Sequence, residues 1–149
     1  MTVEILRRGT GKKYSSGELR QIAAMLLQAL EQDRAELSIA IVGDKEMRHL
    51  NAKYRNMDKT TDVLSFPSEE KLPGGIALLG DVIISVEQAR RQARERKKTL
   101  QSEMATLLIH GILHLLGYDH ERSQRQAKIM GRMERKLYGH LCDGRQLKL

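Results

Sequence analysis

Three of the five histidines fall inside one stretch of eleven residues, HGILHLLGYDH, at His110, His114 and His120. Residues four apart on a helix share a face, with Cβ atoms about 5–6 Å apart. A helical reading therefore points His110 and His114 the same way, and both can reach one zinc ion lying about 2.0–2.1 Å from each nitrogen. Gly117 lets the chain leave the helix at positive φ and turn back. His120 then arrives as a third ligand from outside the helix. Three imidazoles with no evident fourth ligand leave one position on the metal open, as in a catalytic rather than a structural zinc site. A closed structural site would need His140 or Cys142 as a fourth ligand. The remaining alternative is three ordinary histidines on an apolar helix.

The spacing H-x-x-x-H-x-x-G-x-x-H coincides with the histidines and glycine of the metzincin proteases. In those enzymes a glutamate follows the first histidine and acts as general base. Gly111 stands there in this chain. The nearest carboxylate of the motif, Asp119, is either an orienter of an imidazole, a proton acceptor, or the N-cap of the following helix. Without the glutamate, peptide hydrolysis loses its base. A substrate with its own charge and nucleophile asks less of the protein. RNA offers a 2′-hydroxyl and a phosphodiester whose oxygen a metal can polarise. The formal net charge of +7 favours a polyanionic partner, or else marks a protein that is merely basic.

These residues need a scaffold, and 149 residues suit one domain. With one Phe, four Tyr and no Trp, its core must rest on Leu, Ile, Val, Ala and Met. Strands are predicted over 2–6, 35–42, 60–68 (TTDVLSFPS) and 80–85 (GDVIIS). Helices are predicted over 18–33, capped by Ser15 or Ser16, over 45–56, capped by Asp44, and over 86–98, 100–117 and 121–141. Residues 9–16 and 69–75 read as loops, and the tail after Gly139 as loose. The order β, α, β, α, β, β, α, α, α predicts an α+β domain. It has a small mixed sheet of about four strands packed with about five helices, and a three-His metal site at the end of a central helix. A lone cysteine, Cys142, excludes an internal disulfide and fits a reducing compartment. No apolar run approaches the roughly 20 residues of a membrane span, so a cytoplasmic placement without membrane contact is expected. Nothing constrains the oligomeric state.

HGILHLLGYDH resembles the signature of the YbeY family of bacterial rRNA-maturation factors. LNAKYRNMDKTTDVLSFP, residues 50–67, is similar to that family's segment around an arginine and a T-D-V-L-S-F-P strand. LGDVIIS, residues 79–85, is similar to its central strand. The likeness runs in order from residue 40 to residue 138. Thr60 departs from it, where the family commonly has proline, and the first 40 residues carry no motif. The resemblance implies a single-strand-specific, metal-dependent endoribonuclease acting in 16S rRNA 3′-end maturation and ribosome quality control. One Zn2+ would be its cofactor, small-subunit rRNA its substrate, and the ribosome or ribosomal proteins its partners. Residue by residue it makes His110, His114 and His120 the zinc ligands and Arg55 the functionally important arginine.

A guanidinium at Arg55 can hold a phosphate by two parallel hydrogen bonds and neutralise charge developing in the transition state. The alternative is a solvated surface arginine, or one paired with Asp58 or Asp62. Ser65 and Phe66 could line the cleft, Phe66 by stacking on a base or, equally, as part of the core. The run Arg90, Arg91, Arg94, Arg96, Lys97, Lys98 reads as a phosphate-binding surface or as a solvated helix. Met130 and Met133 read as core. Two rival functions remain at this point, a metalloprotease-like zinc hydrolase and a non-catalytic ribosome assembly factor with a structural metal.

Overall fold

Alternation along the strands decides which face of the sheet is covered. The computed structural model describes residues 1–8, 16–68 and 70–144. In strand β2 (Ala35–Val42), Ala35, Leu37, Ile39 and Ile41 are buried on one face, while the residues between them are half-buried. β1 (Thr2–Arg7) lies parallel to β2 on one side. β5 (Ile76–Ser85) lies parallel to it on the other. β3 (Val63–Pro67) closes the sheet antiparallel to β5, giving the order β1-β2-β5-β3. The expected mixed sheet is therefore present.

The segment expected to be a plain loop contributes one further short strand. β4 (Lys71–Leu72) pairs antiparallel with the start of β5. Gly74 and Gly75, at φ +82° and +76°, reverse the chain tightly enough to allow it. β5 also begins at Ile76, earlier than expected. It tolerates Gly80 inside because that glycine sits at a bulge opposite the Glu36/Leu37 step. A Cβ on Gly80 would lie 2.1 Å from the Phe66 carbonyl oxygen, so only glycine lets β3 pair there.

Helices α1 (Ser16–Ala29), α4 (Leu100–Leu115) and α5 (Gln124–Asp143) cover the richly apolar face. α3 (Val86–Arg96) packs mainly beside α4. α2 (Asp44–Arg55) lies over the opposite face, where Val42, Met47 and Leu64 form a small second cluster. α4 is the central element, with eleven of its sixteen residues buried, so it presents no broad polar side. Met130 is fully buried and Met133 packs against the main core, as expected.

Several helix ends differ from expectation, α1 stopping at Ala29 rather than 33 among them. Ser15 lies outside the described residues, and Ser16 is itself the first residue of α1. Gly43, not Asp44, is the N-cap of α2. The Asp44 carboxylate is taken up by Ser85 Oγ at 2.9 Å, Thr60 Oγ1 at 3.2 Å and the Arg91 guanidinium at 2.7 Å. The Arg91 contact and those hydroxyls hold its pKa below the usual carboxylate range, against the effect of burial. α5 begins later than predicted, capped by Ser123, and continues past Gly139 to Asp143, because Leu137 and Leu141 bury one turn apart. The part of the tail expected to be loose is thus helical as far as Asp143, and residues 145–149 lie outside the described residues.

Candidate functional site

The C-terminal end of α4 makes the site by ending in a particular way. Gly117 adopts φ +96°. Its N–H donates to the His114 carbonyl at 3.0 Å, and the Tyr118 N–H donates to the Leu113 carbonyl at 3.0 Å. That pair of bonds is a Schellman motif, which satisfies the last carbonyls and sends the chain back across the helix end. His120 returns with it. The potential ligand nitrogens of His110, His114 and His120 all lie within 4.8 Å of one another. The Nε2 atoms of His110 and His114 are 3.0 Å apart. Nitrogens bound to one tetrahedral zinc ion are separated by about 3.3 Å, so the trio fits a single ion with little movement. Among the described residues no fourth side chain joins the group, and His140 and Cys142 lie elsewhere on α5.

Electrostatics favours the ligand form. Burial pushes the His114 imidazole below the ordinary histidine range. Positive charge on His110, His120 and Arg55 pushes it the same way, and Asp119 opposes them. A neutral imidazole is the form that binds a metal. The other ring nitrogen of His110, Nδ1, lies 3.3 Å from Glu134 Oε2 on α5. A carboxylate at Nδ1 keeps the proton there and leaves Nε2 for the metal. Glu134 had no sequence signal, because 24 residues separate it from His110 and only the packing of α5 on α4 brings them together.

Gly111 answers to packing. A Cβ there would stand 2.6 Å and 3.1 Å from the two methyls of Val82 and 3.2 Å from Ser65 Oγ. The Ser65 hydroxyl donates to the Gly111 carbonyl at 3.1 Å. The helix thus lies directly on β5 and β3, and the position that carries the protease glutamate has no room for a side chain.

The histidines stand in a cleft of about 500 Å³. Arg55, Thr61, Asp62, Val63 and Ser65 form one wall, and residues from Gly117 to Arg122 form the other. Arg55 is exposed at the last position of α2. Among the described residues it has no hydrogen bond or ion pair. The suggested partner Asp58 is held by Arg48 at 2.9 Å, and the Asp62 carboxylate accepts from the Val63 N–H at 2.8 Å. The loop after Arg55 is pinned by buried Asn51, whose Nδ2 donates to the Lys59 carbonyl at 2.9 Å. Asp119 lines the cleft but does not cap α5. Its Oδ1 accepts from the Glu121 N–H at 2.8 Å, and its Oδ2 lies 3.4 Å from Arg122 Nε. It braces the loop that carries His120.

Ser65 and Phe66 separate. Ser65 lines the cleft. Phe66, the next residue on the strand, points to the other face, where it packs on the small cluster and meets Tyr54 edge-on at 5.2 Å. The expectation that both line the cleft is corrected by the alternation of the strand itself. The basic run on α3 is partly neutralised. Arg91 is bound to Asp44 and Gln88, and Arg96 to buried Glu103 at 2.7 Å.

Comparison with known proteins points to one family. The family model described as endoribonuclease YbeY matches residues 7–142. The endoribonuclease YbeY of Sulfurihydrogenibium sp. (strain YO3AOP1) is 42% identical over 138 residues, covering 93% of this chain and 88% of the relative. That of Aquifex aeolicus (strain VF5) is 46% identical over 123 residues, covering 83% and 81%. That of Geobacter metallireducens is 40% identical over 144 residues, covering 95% and 96%. The solution structure of TM1509 from Thermotoga maritima superposes with a TM-score of 0.67 at 29% identity, covering 97% of this chain and 92% of that one.

Proposed function

This chain belongs to the endoribonuclease YbeY family, and from that membership we propose that it is a zinc-dependent endoribonuclease cutting single-stranded RNA. Its substrate is the 3′ region of 16S rRNA, handled in the cytoplasm and on the ribosome during maturation and quality control. The observation that carries the reading is the convergence of three imidazoles in a cleft whose opposite wall offers an unpaired arginine. A bound ion would supply Lewis-acid polarisation of a phosphoryl oxygen at the open position.

The chain's own residues do the rest. His110, held by Glu134, is pre-oriented toward His114 and His120, so ordering the ligands costs little on binding. Arg55 faces the scissile phosphate across the cleft and holds it by two parallel hydrogen bonds, which also offset charge developing on the transferring group. Asp62, Asp119 and Glu121 also line the cleft. Asp119 is the proton acceptor of the attacking hydroxyl in this scheme, and its contacts with the Glu121 N–H and Arg122 hold the carboxylate in place on the loop. Ser65 fixes the floor through Gly111. No helix is long and apolar enough to cross a membrane among the described residues.

The test combines elemental analysis of tag-free protein with cleavage of a labelled single-stranded RNA by the same sample. Zinc is expected at one ion per chain. His114→Ala should lose metal and activity together. Arg55→Ala should keep its metal and lose about 10²–10³-fold in kcat, the range seen when one transition-state stabiliser is removed. Undiminished cleavage by His114→Ala would overturn the assignment, and peptide turnover without RNA cleavage would replace it with a protease.

A further inference from the structure

The cleft is short compared with a strand of RNA, and the surface beyond its α5 lip has a feature that the cleft chemistry does not use. Arg122 lines the cleft, and α5 starts two residues later. Along that helix Arg125, Lys128, Arg132 and Lys136 recur at steps of three, four and four residues. This spacing places them on one side of the helix. Arg135 flanks them, and all five are exposed. They span about 16 Å at a rise of about 1.5 Å per residue. Among the described residues none of the five is in an ion pair. The helix carries two acids. Glu134 is turned inward to His110, and Asp143 is the last residue of the helix.

The contrast with α3 decides what this stripe means. α3 has four arginines over Val86–Arg96, but it also carries Glu87 and Glu95. Two of its four arginines, Arg91 and Arg96, are spent on Asp44 and Glu103, which leaves Arg90 and Arg94 without an ion pair among the described residues. Cations that hold a fold together are paired, as those two are. On α5 the cations are unpaired and aligned, on a helix that begins two residues after Arg122 of the cleft wall. An aligned row of unpaired cations repels itself, and a polyanion of matching line charge relieves that repulsion.

Building on the endoribonuclease reading, we propose that the outer face of α5 is the track for the single-stranded RNA leaving the cleft. Arg125, Arg132 and Lys136 each contact a backbone phosphate of the flanking nucleotides. The contacts read charge and not sequence, so they lengthen the substrate the enzyme prefers without choosing the cut site.

The test is steady-state cleavage of a 20-nucleotide single-stranded RNA by the metal-loaded protein across a range of salt concentrations. The proteins compared are the wild type, the triple variant Arg125→Gln/Arg132→Gln/Lys136→Gln, and a control with the same charge removed from α3 and its C-cap, Arg90→Gln/Arg94→Gln/Lys97→Gln. Each lost phosphate contact should reduce the slope of log kcat/KM against log salt by about 0.7 for a single strand, or about 2 for three contacts. The change should appear in KM, with metal content and melting temperature held. The α3 control should keep the wild-type slope. An unchanged slope in the α5 variant, or an equal drop in the control, would overturn the track while leaving the endoribonuclease reading intact. A wild type that cleaves no RNA would instead remove the reading beneath it.

Discussion

Replacing Gly111 by alanine sets two known effects against each other, and the structure says which one wins. A glycine inside a helix costs about 1 kcal/mol relative to alanine, so propensity alone predicts a gain. The new methyl, however, would stand 2.6 Å from Val82 Cγ1, with Val82 Cγ2 at 3.1 Å and Ser65 Oγ at 3.2 Å. Carbon atoms are at ease about 3.5–4.0 Å apart, so about 1 Å must be found. Val82 cannot supply it. It is fully buried, branched at Cβ and therefore stiff, and sits on β5 between two paired neighbours. The strain falls on the spacing between α4 and the sheet. Overpacking of this kind costs about 1–3 kcal/mol, which leaves a net loss of up to about 2 kcal/mol after the propensity gain. At about 2–4 °C per kcal/mol for a chain of this size, the melting temperature of metal-free Gly111→Ala should fall by several degrees. Gly139, also helical but with nothing within 4 Å of its ideal Cβ, is the control. Gly139→Ala should gain up to about 1 kcal/mol. Calorimetry of the three proteins side by side decides the matter. A Gly111→Ala protein as stable as the wild type would show that α4 lies on the sheet with slack, and the packing account of the missing glutamate would be wrong. Gly111→Glu should be less stable still and should acquire no peptide hydrolysis.

Two further outcomes follow from the same contacts. Removing the carboxylate from His110 with Glu134→Ala should weaken metal binding by about 10–100-fold, with Glu134→Gln intermediate. Competition against a chromophoric chelator measures this, and wild-type affinity in Glu134→Ala would show that His110 needs no orienting partner. The depressed pKa of His114 makes the metal-free protein sensitive to acid. The unfolded chain takes up a proton at about pH 6.5 while the folded one still resists it. Stability is therefore fully present above that pH and is lost as pH falls below it toward the lower folded value. Urea melts at pH 7.5 and 5.5 should show a larger loss for the wild type than for His114→Gln, and equal losses would contradict the burial of that imidazole.

Those parts of the site that rest on neighbours along the chain were legible before any coordinates. The helical repeat alone puts His110 and His114 on one face, and Gly117 alone supplies the positive φ that closes the Schellman turn and returns His120. The reading that let both Ser65 and Phe66 line the cleft missed the alternation of β3, and which of the two faces the cleft was settled only once α4 and α2 were placed on opposite faces of the sheet. What tertiary structure decided involves partners far apart in sequence. Glu134 meets His110 across 24 residues and Ser65 meets Gly111 across 46. Asp44 leaves its expected capping role for Arg91, 47 residues away. The physical reason is common to all of these. Periodicity and backbone preference act over one turn or one pleat and are written into adjacent residues. The distance between a helix and a sheet, and hence which side chain is excluded or recruited there, exists only once the whole core has closed.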